Sequence, residues 1–87
     1  MPNSKQAEKR VRTDERRRLH NKAMRSSMRT AIRRVAEAVG NGDKDRAHKA
    51  LATAMKRIDK CAKRNIIHRN NASRRKSLLA RRVGSLG

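Results

Sequence analysis

The sequence predicts an all-α fold: an antiparallel three-helix bundle whose long first helix runs beyond the bundle as a basic arm. Three observations predict it. Apolar residues recur at helical spacing in three separate stretches. One strong turn signal and one weaker one divide those stretches. The first 23 residues keep good helix formers but lose the apolar stripe. No strand pattern competes, because β-branched residues are few and period-two alternation is absent.

The bundle part of helix one spans 24–40. Met24, Met28, Ile32, Val35 and Val39 step by three or four residues and so share one helix face. The run Gly40-Asn41-Gly42-Asp43 ends it. Gly40 is suited to the left-handed conformation that closes a helix, and Asp43 to capping the next. Helix two spans 43–64, with Ala47, Leu51, Ala54, Ile58 and Cys61 on one face and Ala50, Met55 and Ala62 alongside. The weaker break lies at Asn65, because Asn tolerates the left-handed conformation better than most residues. Helix three spans 66–84; Ala72, Leu79, Val83 and Leu86 form its stripe, Leu78 lies beside it, and Arg75 and Lys76 interrupt it. A tight first turn between amphipathic helices implies antiparallel packing.

Residues 3–23 form the arm. Their apolar residues are only Ala7, Val11, Leu19 and Ala23. Glu8–Arg12 and Asp14–Arg18 have the spacing of favourable i,i+4 pairs. Lys5, Lys9, Arg12 and Arg16 make one basic stripe, and Arg10 and Arg17 another line. A helix polar nearly all round is not held by packing. Its tip is expected to fray in isolation and to order on a partner.

Composition bounds the function. The chain has 87 residues, one domain (1–87) at most, with 26 Lys plus Arg against 7 Asp plus Glu. The formal net charge is +19, and no Phe, Trp or Tyr is present. So little apolar mass walls no deep catalytic pocket. The longest apolar run is three residues, far short of the ~20 a membrane span requires. An amphipathic membrane peptide wants Trp, Phe or Leu opposite its charges; aromatics are absent and the arm has no apolar face. Cys61 is the only cysteine, which excludes an internal disulfide. His20, His48, His68 and Cys61 have no ligand-knuckle spacing, so no metal and no cofactor is expected. Cys61, Met24, Met28 and Met55 read instead as core fillers.

Such charge opposes compaction until a polyanion offsets it. Nucleic acid is the natural candidate, since binding it releases condensed counterions. Without aromatics the chain lacks the usual platform for stacking unpaired bases. Seventeen Arg against nine Lys suit forked contacts to phosphate oxygens instead. Residues 24–45 carry five basic and three acidic groups, whereas 46–65 carry seven and one, and 66–87 six and none. The chain thus reads as a modest helical core with basic ends, marginally stable until its partner completes the fold. At the start of helix three, first-turn amides with His68 and Arg69 suit a phosphate and Asn70 a sugar or base. The plainer alternative is an exposed helix start. Arg74, Arg75 and Lys76 are expected to continue that surface. Ser26 and Ser27 either bond the i−4 carbonyl or approach phosphate. Charge alone leaves a nucleoid-associated or histone-like DNA-binding protein as the alternative.

The run Ile67-His68-Arg69-Asn70-Asn71-Ala72-Ser73-Arg74-Arg75-Lys76-Ser77 resembles the C-terminal signature of the bacterial small-subunit ribosomal protein S-twenty family. His20-Asn21, Arg25-Ser26, Met28-Arg29-Thr30 and Ile32-Arg33-Arg34-Val35 resemble the same family's first helix. Asn3-Ser4-Lys5-Gln6-Ala7, Gly42-Asp43 and Ile58-Asp59-Lys60 are also similar, so the resemblance spans essentially the whole chain. It departs at Asn65, Asn71 and Leu78, where Gly, Lys and a basic residue are usual. The resemblance implies a three-helix bundle with an extended first helix and no enzymatic activity. It implies direct binding to small-subunit ribosomal RNA, bridging the 5′ domain and the long penultimate helix and helping the RNA assemble. Other small-subunit components are the implied neighbours, with the chain a monomer within the ribosome and neither a membrane nor a small-molecule substrate as partner. The implied location is the small subunit in the bacterial cytoplasm, an organelle ribosome being the alternative. The residues expected to contact RNA are Lys5, Lys9, Arg10, Arg12, Arg16, Arg17, Arg18, His20, Asn21, Lys22, Arg25, Ser26, Arg29, Arg33, His68, Arg69, Asn70, Arg74, Arg75, Lys76 and Ser77.

Overall fold

Helix formation here follows from the near absence of breakers: Pro2 is the sole proline, and the glycines sit at or beyond helix ends. The computed structural model describes residues 4–86; Met1, Pro2, Asn3 and Gly87 lie outside the described residues, Asn3 being the expected start of the arm. Three helices follow in order, α1 (Ser4–Gly40), α2 (Lys44–Lys63) and α3 (Arg69–Gly84), and no strand occurs among the described residues.

Both turns close by the same backbone device. After α1, Asp43 N–H donates to Ala38 O (3.1 Å) and Gly42 N–H to Val39 O (3.0 Å). After α2, Ile66 N–H donates to Cys61 O (2.9 Å) and Asn65 N–H to Ala62 O (3.0 Å). These are the paired bonds of a Schellman closure, which needs one left-handed residue. Gly42 supplies it at φ 69° in the first turn and Asn65 at φ 59° in the second. The sequence pointed to Asn65 correctly, but to Gly40 rather than Gly42; Gly40 is still helical. Asp43 caps α2 as expected, its Oδ1 accepting from Arg46 N–H at 3.2 Å. Helix three starts three residues later than the expected 66. Ile66 is drawn out of the helix by its bond to Cys61 and is buried in the core, leaving His68 to cap α3.

Contacts between α1 and α2 set an antiparallel register. Arg57 Nη1 donates to Ser27 O (3.1 Å), Cys61 Sγ to Met24 O (3.6 Å), and Arg64 Nη1 lies 2.8 Å from His20 Nε2. Each step forward along α2 is matched by a step back along α1, so α2 ends beside His20. Residues 4–19 therefore have no partner helix. At the α-helical rise they reach about 24 Å beyond the bundle, and the molecule measures 65 × 22 × 14 Å. Helix α3 turns back along α2, with Lys76 Nζ 2.8 Å from Asp59 Oδ1. Arg25 Nη2 donates to Ile66 O at 3.4 Å, which places the start of α3 on the same side of the α1–α2 hairpin.

The core lies along the hairpin and under α3. In α1 the buried seam is Met28, Ala31, Val35 and Ala38, while Met24, Ile32 and Val39 are half-buried flanks. That corrects the expected stripe by a fraction of a turn. Alanines at the centre let the helix axes approach closely, and the larger side chains then close the edges. Ala47, Ala54, Ile58 and Cys61 answer from α2, and Ala72, Leu79 and Val83 from α3. Leu51 is only half-buried, and Leu78 is 51% exposed. Neither expected arm pair, Glu8–Arg12 or Asp14–Arg18, closes to ion-pair distance. Among the described residues the ion pairs are Arg33–Glu37 (3.9 Å, exposed) and Lys76–Asp59. An exposed pair gains too little in water to hold two long side chains together.

Candidate nucleic-acid interface

A straight helix lays residues four apart in adjacent rows, with a shallow groove between rows. Along α1 one such groove is lined by the row Arg17, Asn21, Arg25, Arg29 and Arg33 and by the row Asp14, Arg18, Lys22, Ser26 and Thr30. Successive cations in a row rise by about 6 Å. Asp14 is the only carboxylate among the lining residues. Every cation in this groove is exposed, with Arg33 paired to Glu37 at 3.9 Å and Arg25 bonded to Ile66 O. Arg25 is anchored by its bond to Ile66 O, which fixes the groove against the start of α3. There His68 Nδ1 accepts from Asn70 N–H at 3.1 Å. A neutral ring making that bond carries its proton on Nε2, a donor, as a phosphate oxygen requires. His68, Arg69 and Asn70 are all exposed.

In the arm the cations sit elsewhere on the helix. By helical periodicity, Lys5, Lys9, Arg12 and Arg16 share one half of α1 with Arg10, Arg17 and His20. The other half holds all three arm acids, Glu8, Asp14 and Glu15, together with Ala7, Val11, Leu19 and Arg18. Val11 and Leu19 are 56% and 68% exposed. The arm is thus two-faced, and its basic half lies on a different side of α1 from the row Arg25, Arg29 and Arg33.

Not every expected residue stands free. Lys76 is half-buried and engaged by Asp59, and Arg75 is half-buried with its Nε donating to Asn71 Oδ1 at 2.6 Å. Arg74 and Ser77 are exposed. Successive helical positions turn by about 100°, so Arg74, Arg75 and Lys76 do not continue one surface as expected. Arg75 and Lys76 stand between the buried Ala72 and Leu79 in sequence and are themselves half-buried, as long side chains are when their stems lie along apolar surface. His20 belongs to a different flank of α1, beside Arg64. Ser26 makes no hydroxyl bond to the i−4 carbonyl, and neither does Ser27; Thr13 and Thr53 make that bond instead.

The sequence reading passed over the cations of α2. Arg57, Lys60, Lys63 and Arg64 line a groove with His20, Met24 and Ser27. Arg46 and Lys49 line another with Arg34 and Thr53. Their spacing along α2 was visible in the sequence, but the side of the hairpin that α3 covers was not.

The remaining chemistry is sparse. Among the described residues no three His, Cys, Asp or Glu side chains converge on a metal-sized site. None of the described helices is long and apolar enough to cross a membrane. Burial pushes the Cys61 thiol above its ordinary value of 9.0, partly offset by the nearby charge of Arg25.

The family model of Ribosomal protein S20 matches residues 2–84. The small ribosomal subunit protein bS20 of Bacillus licheniformis is 48% identical over 86 residues, covering 99% of this chain and 98% of that protein. Its namesake in Mycolicibacterium gilvum is 45% identical over 86 residues, covering 99% and 100%. That of Mycobacterium marinum is 45% identical over 87 residues, covering the whole of both chains. With its core, its arm and both turns inside the matched span, the chain belongs to the ribosomal protein S20 family.

Proposed function

We propose that this chain is a structural component of the bacterial small ribosomal subunit that binds small-subunit ribosomal RNA directly and holds its folded segments in place. One observation carries the reading: the family match includes the arm, whose residues 5–20 are all exposed and bury no core. A cationic helix with no packing role makes physical sense against a polyanion, which offsets the repulsion that the charge creates. The mechanism is charge neutralisation. Arg17, Arg18, Lys22, Arg25, Arg29 and Arg33 of the α1 groove meet phosphate oxygens on one RNA segment. His68, Arg69 and Asn70 extend that contact at the start of α3. Lys5, Lys9, Arg10, Arg12 and Arg16 of the arm meet a segment lying on the arm's basic half. Recognition is of shape and backbone, because no aromatic side chain is present for stacking. No step of bond making or breaking belongs to this role.

Sedimentation of a cell lysate, with the chain detected in each fraction, tests the proposal. Co-migration with small subunits and retention through a low-salt wash is the expected result. Co-migration with nucleoid DNA instead, or equal competition by duplex DNA for the purified chain, overturns it.

A further inference from the structure

Seven carboxylates stand among 26 cations in this chain, and four of them have a task inside the protein. Asp43 caps α2, and Asp45 lies in the first turn of α2, where the helix dipole favours an anion. Glu37 pairs with Arg33, and Asp59 with Lys76. The other three, Glu8, Asp14 and Glu15, all belong to the arm. Each is exposed, and among the described residues none reaches ion-pair distance of a cation. Helical periodicity gathers them on one half of α1 with Ala7, Val11 and Leu19. Val11 and Leu19 are two of the three large apolar side chains left exposed among the described residues. Between residues 5 and 15 that half carries no cation. The same side turns cationic from Arg18 onward, through Lys22, Arg25 and Arg29 of the α1 groove. An RNA backbone in that groove meets Asp14 and Glu15 if it continues toward the tip of the arm, and like charges repel it there. The arm's own phosphate contacts lie on the opposite half. The acid half therefore faces away from RNA, yet it holds apolar groups that gain by leaving water.

We infer that this acid half of the arm, formed by Glu8, Val11, Asp14, Glu15 and Leu19, docks a basic segment of a neighbouring protein in the small subunit, so that the arm lies between RNA on one half and protein on the other. The inference rests on the proposed ribosomal role and gives a partner to a face that role leaves empty. The chemistry of the occupant follows from the face. Lys or Arg side chains meet the three carboxylates, and an apolar group between them covers Val11 and Leu19. Nucleic acid supplies neither. A second copy of this chain fits poorly: two molecules of charge +19 repel, and antiparallel arms with Val11 against Leu19 set Glu15 opposite Glu15. The face is about 18 Å long from Ala7 to Leu19, too small for firm binding between free molecules. Inside one particle the partner is held at high effective concentration, and a contact of this size suffices.

The test uses small subunits reconstituted with the full chain. The photoreactive residue p-benzoylphenylalanine is placed at Val11 or Leu19 on the acid half, or at Lys9 or Arg16 on the basic half, one position per chain. After irradiation, nuclease and protease digestion with mass spectrometry identify what each probe has joined. The expected result is that the probes at Val11 and Leu19 join a Lys/Arg-rich peptide of another small-subunit protein, while those at Lys9 and Arg16 join ribosomal RNA. Adding Glu8→Gln, Asp14→Asn and Glu15→Gln to the Leu19 probe should lower the protein cross-link by about threefold or more while the chain still enters the subunit. These three side chains are exposed and outside the core, so the bundle stays folded. Joining of the Val11 and Leu19 probes to RNA overturns the docking face. So does the absence of any macromolecular cross-link from them, the outcome for a face left to water. A cross-link to a second copy of the chain, or one that the carboxamide variant leaves undiminished, overturns it too. In each of these cases the RNA-binding role stands on the Lys9 and Arg16 probes. If the parent chain fails to enter small subunits, the ribosomal role falls and the docking face with it.

Discussion

Asp59 is the only carboxylate after residue 45, in a stretch otherwise dominated by cations. Its position against Lys76 explains why it is there: the pair ties α3 to α2 at 2.8 Å, and it keeps a half-buried ammonium from facing α2 unpaired. The side chains are 34% and 59% exposed, so solvent screens the pair. Asp59→Asn should cost about 0.5–1 kcal/mol and lower the melting temperature by a few degrees. A double-mutant cycle with Lys76→Met should return a coupling of the same size; a coupling near zero would show that the pair carries no stability. Cys61 offers a second residue-scale test. Its thiol is buried and donates to Met24 O, and burial raises its ionisation above the ordinary value of 9.0. The folded chain therefore holds this proton at a pH where the unfolded chain has lost it. Stability should fall as pH rises through 9.0 toward the folded-state value, and be insensitive to this group below that window. Labelling by a thiol reagent at neutral pH should proceed only through opening of the bundle, and should slow further on RNA.

The two helix closures depend on left-handed residues, and beyond its chain neighbours nothing lies within 4 Å of where a side chain on Gly42 would begin. Gly42→Ala should thus cost about 1 kcal/mol from backbone conformation alone, without a cavity or a clash. Asn65→Gly should be near neutral and Asn65→Val should cost more than Gly42→Ala, as thermal melts would show. A Gly42→Ala chain as stable as the parent would mean that the first turn adopts another geometry. These turns were largely legible in the sequence because they are set by local sterics at one residue. The three helices were legible too, since their period is carried by residues close in the chain. The centre of the core was not. Ala31 and Ala38 carry little hydropathy signal, and only packing against α2 reveals that small side chains occupy the seam while Ile32 and Val39 flank it. The start of α3 was misplaced for a related reason. Ile66 and Ile67 look like the first turn of an apolar helix, but a bond to Cys61 holds Ile66 in the preceding turn. Of the expected interface, spacing gave the arm's basic lines Lys5, Lys9, Arg12, Arg16 and Arg10, Arg17, whereas Arg25, Arg29 and Arg33 came from the family resemblance. The engagement of Lys76 and the exposure of the α2 cations depend on where α3 lies, which spacing along one helix does not encode.

The whole molecule is an elongated body, 65 Å long, in which a compact hairpin-plus-helix carries a bare cationic rod. Core and arm are separable, since among the described residues no fully buried side chain precedes Met28 and only Met24 packs against the core before it. Removing residues 1–19 should leave the melting temperature of the bundle within about 2 °C while making the salt slope of RNA binding shallower by about 3–6. A collapse of the bundle on truncation would contradict that division of labour. Free in solution, the chain carries +19 with few compensating acids. Added salt should therefore raise its helicity and stability, and the arm should be the last part to become helical. The central claim is that the molecule's cations exist to neutralise ribosomal phosphates. The most direct measurement is the affinity of the purified full chain for small-subunit ribosomal RNA as salt rises from 50 to 200 mM. If six to ten phosphates are engaged, affinity falls by about 10³–10⁵ and stays well above that for duplex DNA throughout. A flat response, or equal affinity for the two nucleic acids, would contradict it.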